Sequence, residues 1–169
     1  RTFKGEDNMF NKSSKQPNSR SCFVCGRENE VSLKMSWYND EEQQLVWSEL
    51  MVPSHFNGYP GVVHGGIIAA ILDETSGRAL LINGDNDALM LTSHLELKYR
   101  RPTPTDQPLI AVGWIEKGGT KHAQVAGELR LPDGTVTAQC KATVIKPPAQ
   151  FLDSQGWQEE KPYFKVYDD

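Results

Sequence analysis

Val31, Leu33, Met35 and Trp37 alternate with Ser32, Lys34, Ser36 and Tyr38, and a period of two is what a strand with one buried face requires. The pattern predicts a strand over 31–38, a polar turn at Asn39-Asp40-Glu41-Glu42 and a second strand over 44–52 that folds back as an antiparallel hairpin. Pro53 ends that strand, because it has no N–H for a ladder. The period then changes. Ile67, Ile68, Ile71, Leu72, Thr75, Ala79 and Ile82 recur at helical spacing, which predicts a helix over 65–82, stopped by a left-handed turn at Asn83-Gly84. Four strand-like segments follow, over 88–101, 109–117, 121–131 and 135–146. In the first of them Leu89, Leu91, Leu95, Leu97 and Tyr99 share one face, which leaves Thr92, His94 and Glu96 on the polar one.

The order β-β-α-β-β-β-β describes an α+β fold with one long central helix and a mostly antiparallel sheet. A lone apolar helix of this length has to bury its faces, and a sheet curled around it does so economically. The chain is 169 residues long with 38% hydrophobic content, enough for one domain with a core and too little for two ordinary ones. Residues 1–21 are polar and without periodicity, a surface lead-in; 22–146 form the domain. Residues 147–169, with Pro147-Pro148, Trp157, Tyr163, Phe164 and Tyr167, read as a tail that packs on the domain or on a partner subunit.

The net charge of −4 argues against a nucleic-acid or anionic-membrane surface. No run approaches the length of a membrane span. The opening residues lack the apolar core of a signal peptide and carry Glu6 and Asp7. Three cysteines make no disulfide framework, so the expected compartment is the reducing cytoplasm. Cys22-x2-Cys25 is half of a zinc site, but no second pair follows at useful spacing. Cys22, Cys25 and Cys140 are therefore read as small, partly buried side chains, and no metal is expected.

The chemistry concentrates where the second strand meets the helix. Gly58-Tyr59-Pro60-Gly61-Val62-Val63-His64-Gly65-Gly66 is a tight loop running into an apolar helix. The first N–H groups of a helix have no partners within it and sit at the positive end of its dipole, so they can stabilise a carbonyl oxygen or oxyanion. Two turns further on stand the carboxylates of Asp73 and Glu74. An oxyanion site and a carboxylate on one helix point to acyl chemistry. Asp73 is the stronger of the two, because an acid among Ile71, Leu72 and the glycines needs a reason to be there.

The loop Gly61-Val62-Val63-His64-Gly65-Gly66, the following Asp73, and a strand ending Tyr99-Arg100-Arg101-Pro102 resemble the hotdog-fold acyl-CoA thioesterases, in particular the PaaI-like branch with its His-Gly-Gly motif. The resemblance covers about residues 22–146 in element order and is concentrated in 57–101. It implies a sheet wrapped around the helix and a homodimer, or a dimer of dimers as a homotetramer, with active sites at the interface. It implies that the Gly65 N–H, and that of Gly66, polarise the thioester carbonyl. Asp73, supplied by the opposite subunit, acts as general base or as nucleophile, and the sequence does not choose between them. Thr92 helps hold water or substrate, and His64 braces the loop or touches substrate. Asn57 corresponds to an Asn or Gln ahead of the motif, displaced by one position. No cofactor is expected beyond coenzyme A as part of the substrate. Arg100 and Arg101, next to Lys98, are candidates for its phosphates.

The bland readings are a solvent-facing helical Asp73, a strand-forming Thr92 and a solvated cationic strand end. Two other functions fit the same fold: an acyl-thioester hydratase or dehydratase, for which His55, His64 and His94 show no clear pairing, and a non-catalytic acyl-CoA-binding protein.

Overall fold

The helix lies so close to the sheet that glycine is required beneath it. A computed structural model describes residues 10–169. Its strands are β1 (Ser14–Lys15), β2 (Tyr38–Asp40), β3 (Leu45–Met51), β4 (Asn57–Tyr59), β5 (Val62–Val63), β6 (Leu91–Tyr99), β7 (Pro108–Lys117), β8 (His122–Arg130) and β9 (Val136–Ile145). The main sheet is antiparallel throughout, in the order β1-β2-β3-β7-β8-β9-β6, and β4 and β5 form a separate ribbon. Helix α1 (Gly65–Gly77) crosses β7, β8 and β9. At Gly113 of β7 a Cβ would fall 2.4 Å from the carbonyl oxygen of Thr75 in the helix. Ile68, Ile71 and Leu72 of α1 pack into one core with Trp37, Val46, Leu109, Leu129 and Ala138 of the sheet side. Trp37 Nε1 donates to Thr75 Oγ1 at 3.1 Å, so a buried helical threonine and a buried indole satisfy each other.

The predicted helix divides in two. α1 ends at Gly77, and a 3-10 turn over Arg78–Leu81 carries the chain to Gly84, whose φ of 77° is the left-handed stop. The strands after the helix agree with expectation to within three residues at each end.

The segment 31–37 differs. Met35 and Trp37 are buried as the alternation requires, yet only Tyr38–Asp40 joins the sheet. Lys34 has a φ of 55°, which breaks an extended run, and the N–H groups of Leu33 and Met35 donate instead to the carbonyls of Phe23 and Val24.

The expected lead-in is also corrected over residues 10–21. β1 pairs with β2, and Gln16 and Asn18 are buried. Gln16 Nε2 donates to Asn39 Oδ1 at 2.7 Å and to the Arg78 carbonyl at 3.0 Å. Polar side chains can be buried when each finds such partners, and composition alone does not reveal that. Residues 1–9 lie outside the described part of the chain. The C-terminal segment forms α2 (Ala149–Leu152) and α3 (Gln155–Glu160) and folds back on the same chain. Asn18 and Lys165 exchange backbone hydrogen bonds, and the Glu160 carboxylate accepts from the Arg20 and Ser21 N–H groups. Among the described residues no helix is long and apolar enough to cross a membrane.

Candidate functional site

The glycine loop is fastened before the helix begins. Gly61 takes a φ of 79°, a turn that L side chains resist. The Val63 N–H donates to the Thr103 carbonyl, and the His64 N–H to that of Phe56. His64 is the N-cap of α1, and its Nδ1 accepts from the Gly66 N–H at 2.9 Å. His64 braces the loop, and the Gly66 N–H is already engaged within the chain and is not left for a ligand. Among the described residues no hydrogen bond engages the Gly65 N–H, so the positive end of the helix is offered at Gly65.

Tyr99 holds Gly65 from the other side. Its hydroxyl donates to the Gly65 carbonyl at 2.8 Å, and a Cβ at Gly65 would sit 3.4 Å from that oxygen. In the sequence Tyr99 is simply the last apolar residue of an alternating strand, and nothing local marks it as a partner of the glycine loop. His64, Gly65, Ile68, Tyr99, Arg100 and Arg101 line a cavity of about 690 Å³. Arg100 Nε donates to Gln139 Oε1 at 3.1 Å. Lys98 instead pairs with Glu96 at 3.7 Å on the exposed strand. Asn57 is exposed in the β4 ribbon and does not line this cavity.

Asp73 opens on a second cavity of about 570 Å³, shared with Glu74, Arg78, Met90, Thr92 and Phe164. Thr92 Oγ1 donates to Asp73 Oδ1 at 2.7 Å. An irregularity in β6 makes that contact. Thr92 lies opposite Val144 of β9, but His94 already faces Thr143, so Ser93 is the extra residue of a bulge. Directly opposed residues share a face. Thr92 opposite Val144, Leu95 opposite Ala142 and Leu97 opposite Cys140 thus all point toward the helix. The predicted assignment of Thr92 to the polar face, opposite Leu95, is reversed. Bulges commonly re-aim a side chain next to a functional site.

Burial pushes the Asp73 carboxyl above the ordinary aspartate range, the Glu74 charge pushes the same way, and the Thr92 hydrogen bond opposes both. Glu74 itself pairs with Arg78 at 3.0 Å. Gly65 and Asp73 are eight residues apart on one helix, about 12 Å along its axis at 1.5 Å per residue. Within one chain they serve different cavities.

A curled antiparallel sheet around a single long helix, with a glycine loop at the helix start and a carboxylate two turns on, is the hotdog architecture of thioesterases. The family model of the thioesterase superfamily matches residues 60–138 of the chain. It is 32% identical over 111 residues to acyl-coenzyme A thioesterase THEM4 of Mus musculus and 29% identical over 111 residues to that of Rattus norvegicus. Each alignment covers 65% of this chain and 46% of the relative, so the chain spans about half the length of these curated relatives. The crystal structure of protein RHA08564, a thioesterase superfamily protein, superposes with a TM-score of 0.68 at 28% identity, over 75% of this chain and 63% of that one.

Proposed function

We propose that the protein hydrolyses acyl-CoA thioesters and that its active site is completed by a second copy of the chain. The observation that carries this reading is the held carboxylate: Asp73, half-buried, raised in pKa and oriented by Thr92. A carboxylate so placed is a stronger base than an ordinary aspartate and suits proton abstraction. The Gly65 N–H, free at the helix start and braced through Tyr99, is the complementary oxyanion donor.

In the reaction the thioester carbonyl accepts a hydrogen bond from the Gly65 N–H of one protomer. Asp73 of the other takes a proton from water as the water oxygen adds to the carbonyl carbon. The oxyanion collapses, the carbon–sulfur bond breaks, and the coenzyme A thiolate leaves and takes up the proton. Direct attack by the Asp73 carboxylate would pass instead through a mixed anhydride, and label entering Asp73 in a single turnover in oxygen-18 water would identify that route.

The separation of about 12 Å along the helix supports the shared site, since one carbonyl has to reach both groups within hydrogen-bonding distance. β6 supports it as well. It is an edge of the main sheet, its outer side offers unpaired backbone groups, and Leu91 and Tyr99 on it are 38% and 53% exposed. Arg100 and Arg101 on the Gly65 cavity suit the phosphates of coenzyme A.

The test is release of free coenzyme A from a panel of acyl-CoAs by wild type and Asp73→Asn. Loss of turnover with retained dimerisation is expected, and equal rates in the two proteins would remove Asp73 from the mechanism.

A further inference from the structure

The two cysteines near the N-terminus have a chemistry of their own, independent of the thioester reaction. Cys22 and Cys25 bound one tight turn. The Gly26 N–H donates to the Cys22 carbonyl at 2.7 Å, and the Val24 N–H donates to Cys22 Sγ at 3.2 Å. A Cβ at Gly26 would fall 2.4 Å from the Cys22 carbonyl oxygen, so the turn closes only with glycine there. This geometry brings both sulfurs and a carboxylate oxygen of Glu74 within 4.8 Å of one another.

A cation of the chain already serves that group. Arg78, only 4% exposed, donates from Nη2 to Cys25 Sγ at 3.1 Å and from Nε to Glu74 Oε1 at 3.0 Å. Its Nη1 donates to the Pro17 carbonyl at 2.6 Å, and its plane lies over the Trp37 ring at 4.0 Å. That guanidinium places a fixed positive charge against the Cys25 sulfur.

The two sulfurs are not equivalent. Cys22 is partly exposed, whereas Cys25 is 1% exposed. The neighbouring Cys22 thiol and the Arg78 charge lower the Cys25 thiol, against its burial and the Glu74 charge. The neighbouring Cys25 and burial raise Cys22. Cys25 is thus the more acidic of the two sulfurs and Cys22 the more accessible one.

We propose that Cys22 and Cys25 are a reversible dithiol–disulfide pair that reacts with low-molecular-weight disulfides, Cys22 being the entry sulfur and Cys25 the resolving one. As its proton passes to the Cys25 sulfur, the Cys22 sulfur attacks one sulfur of a disulfide RSSR and expels RS⁻, which takes that proton from Cys25 and leaves as RSH. The mixed disulfide on Cys22 is then attacked by the Cys25 thiolate, which forms the Cys22–Cys25 bond and expels the second RS⁻. Two electrons pass from the dithiol to RSSR. The two sulfurs already lie within 4.8 Å of each other, so bond formation needs no long loop to close. Oxidation neutralises the sulfur beside Arg78 and leaves Glu74 as its anionic side-chain partner. Both Arg78 and Glu74 line the Asp73 cavity, so the change of charge occurs next to the candidate catalytic carboxylate. Arg78 acts as a positioning residue for the resolving thiolate.

The experiment uses the full chain. Reduced protein is equilibrated in buffers of varied oxidised-to-reduced glutathione ratio, free thiols are alkylated in denaturant, and the labels are located by mass spectrometry. Cys22 and Cys25 should lose labelling together and regain it on reduction, while Cys140 is labelled at every ratio. Cys25→Ser should trap one glutathione on Cys22. Arg78→Gln should slow resolution of the mixed disulfide about tenfold, with Arg78→Lys recovering part of the rate and the circular dichroism of each variant checked against wild type. Both thiols remaining free at every ratio would overturn the proposal. So would a glutathione adduct on Cys22 that Cys25 never resolves, or one equivalent of zinc whose removal alone makes the thiols reactive.

Discussion

At Gly113 the sheet and the central helix touch backbone to backbone, and a single methyl group tests how rigid that contact is. A Cβ there would lie 2.4 Å from the Thr75 carbonyl oxygen, 2.9 Å from its carbon and 3.1 Å from Ser76 Cα. All three are main-chain atoms of α1, so none can rotate aside. Ordinary contact needs about 3.5 Å, and Gly113→Ala therefore forces the helix off the sheet by roughly an ångström. That retreat loosens the packing of Ile71 and Leu72 and stretches the Trp37–Thr75 hydrogen bond. Overpacking of this kind costs about 1–3 kcal/mol, and with main chain on the receiving side the upper end, about 3 kcal/mol, is expected. For a chain of this size that corresponds to a fall in Tm of about 6–12 °C. Gly77→Ala is the matched control. It lies at the end of the same helix with φ −62° and ψ −34°, and nothing stands within 4 Å of its Cβ position. It should raise stability by about 0.5–1 kcal/mol. Urea unfolding followed by tryptophan fluorescence, with thermal unfolding alongside, measures both. A Gly113→Ala protein within 0.5 kcal/mol of wild type would show that the helix is not seated as described.

The remaining predictions concern the site. Thr92→Val removes the hydrogen bond that lowers the Asp73 pKa; since a base in the proposed reaction works ionised, the acid limb of the pH–rate profile should move up, and an unmoved limb would dissociate Thr92 from Asp73. In wild type that limb should already lie above the ordinary aspartate value of about 3.9. The same raised pKa means that folded-state stability is fully present below the unfolded-state pKa and falls as pH rises through the folded one. Asp73→Asn should therefore be the more stable protein at neutral pH, with a flatter stability–pH curve in urea titrations. His64→Ala should lower stability by about 1 kcal/mol through loss of the helix cap, with His64→Asn recovering most of it in thermal unfolding.

How much of this was legible in the sequence depended on the range of the interaction. The helix start at Gly65, the left-handed stop at Gly84 and the four strands after the helix follow from spacing and turn chemistry acting over a few residues. Thr92 was placed on the wrong face, since strict alternation cannot reveal a bulge that exists only in the register of β6 against β9. Residues 14–18 looked like a solvated lead-in, since the groups that satisfy Gln16 come from Asn39 and Arg78, distant in the chain. Cys22-x2-Cys25 read as half of a site until the helix brought Glu74 and Arg78 beside it.

The sequence by itself determined the local periods, the glycine-dependent turns and the order of elements, because those depend on φ, ψ and the burial of one face. The tertiary structure alone decided which polar groups meet: Tyr99 on Gly65, Thr92 on Asp73, Arg78 on Cys25. Those contacts join residues from 19 to 53 positions apart. They depend on strand register and on the seating of the helix over Gly113, which no local pattern encodes.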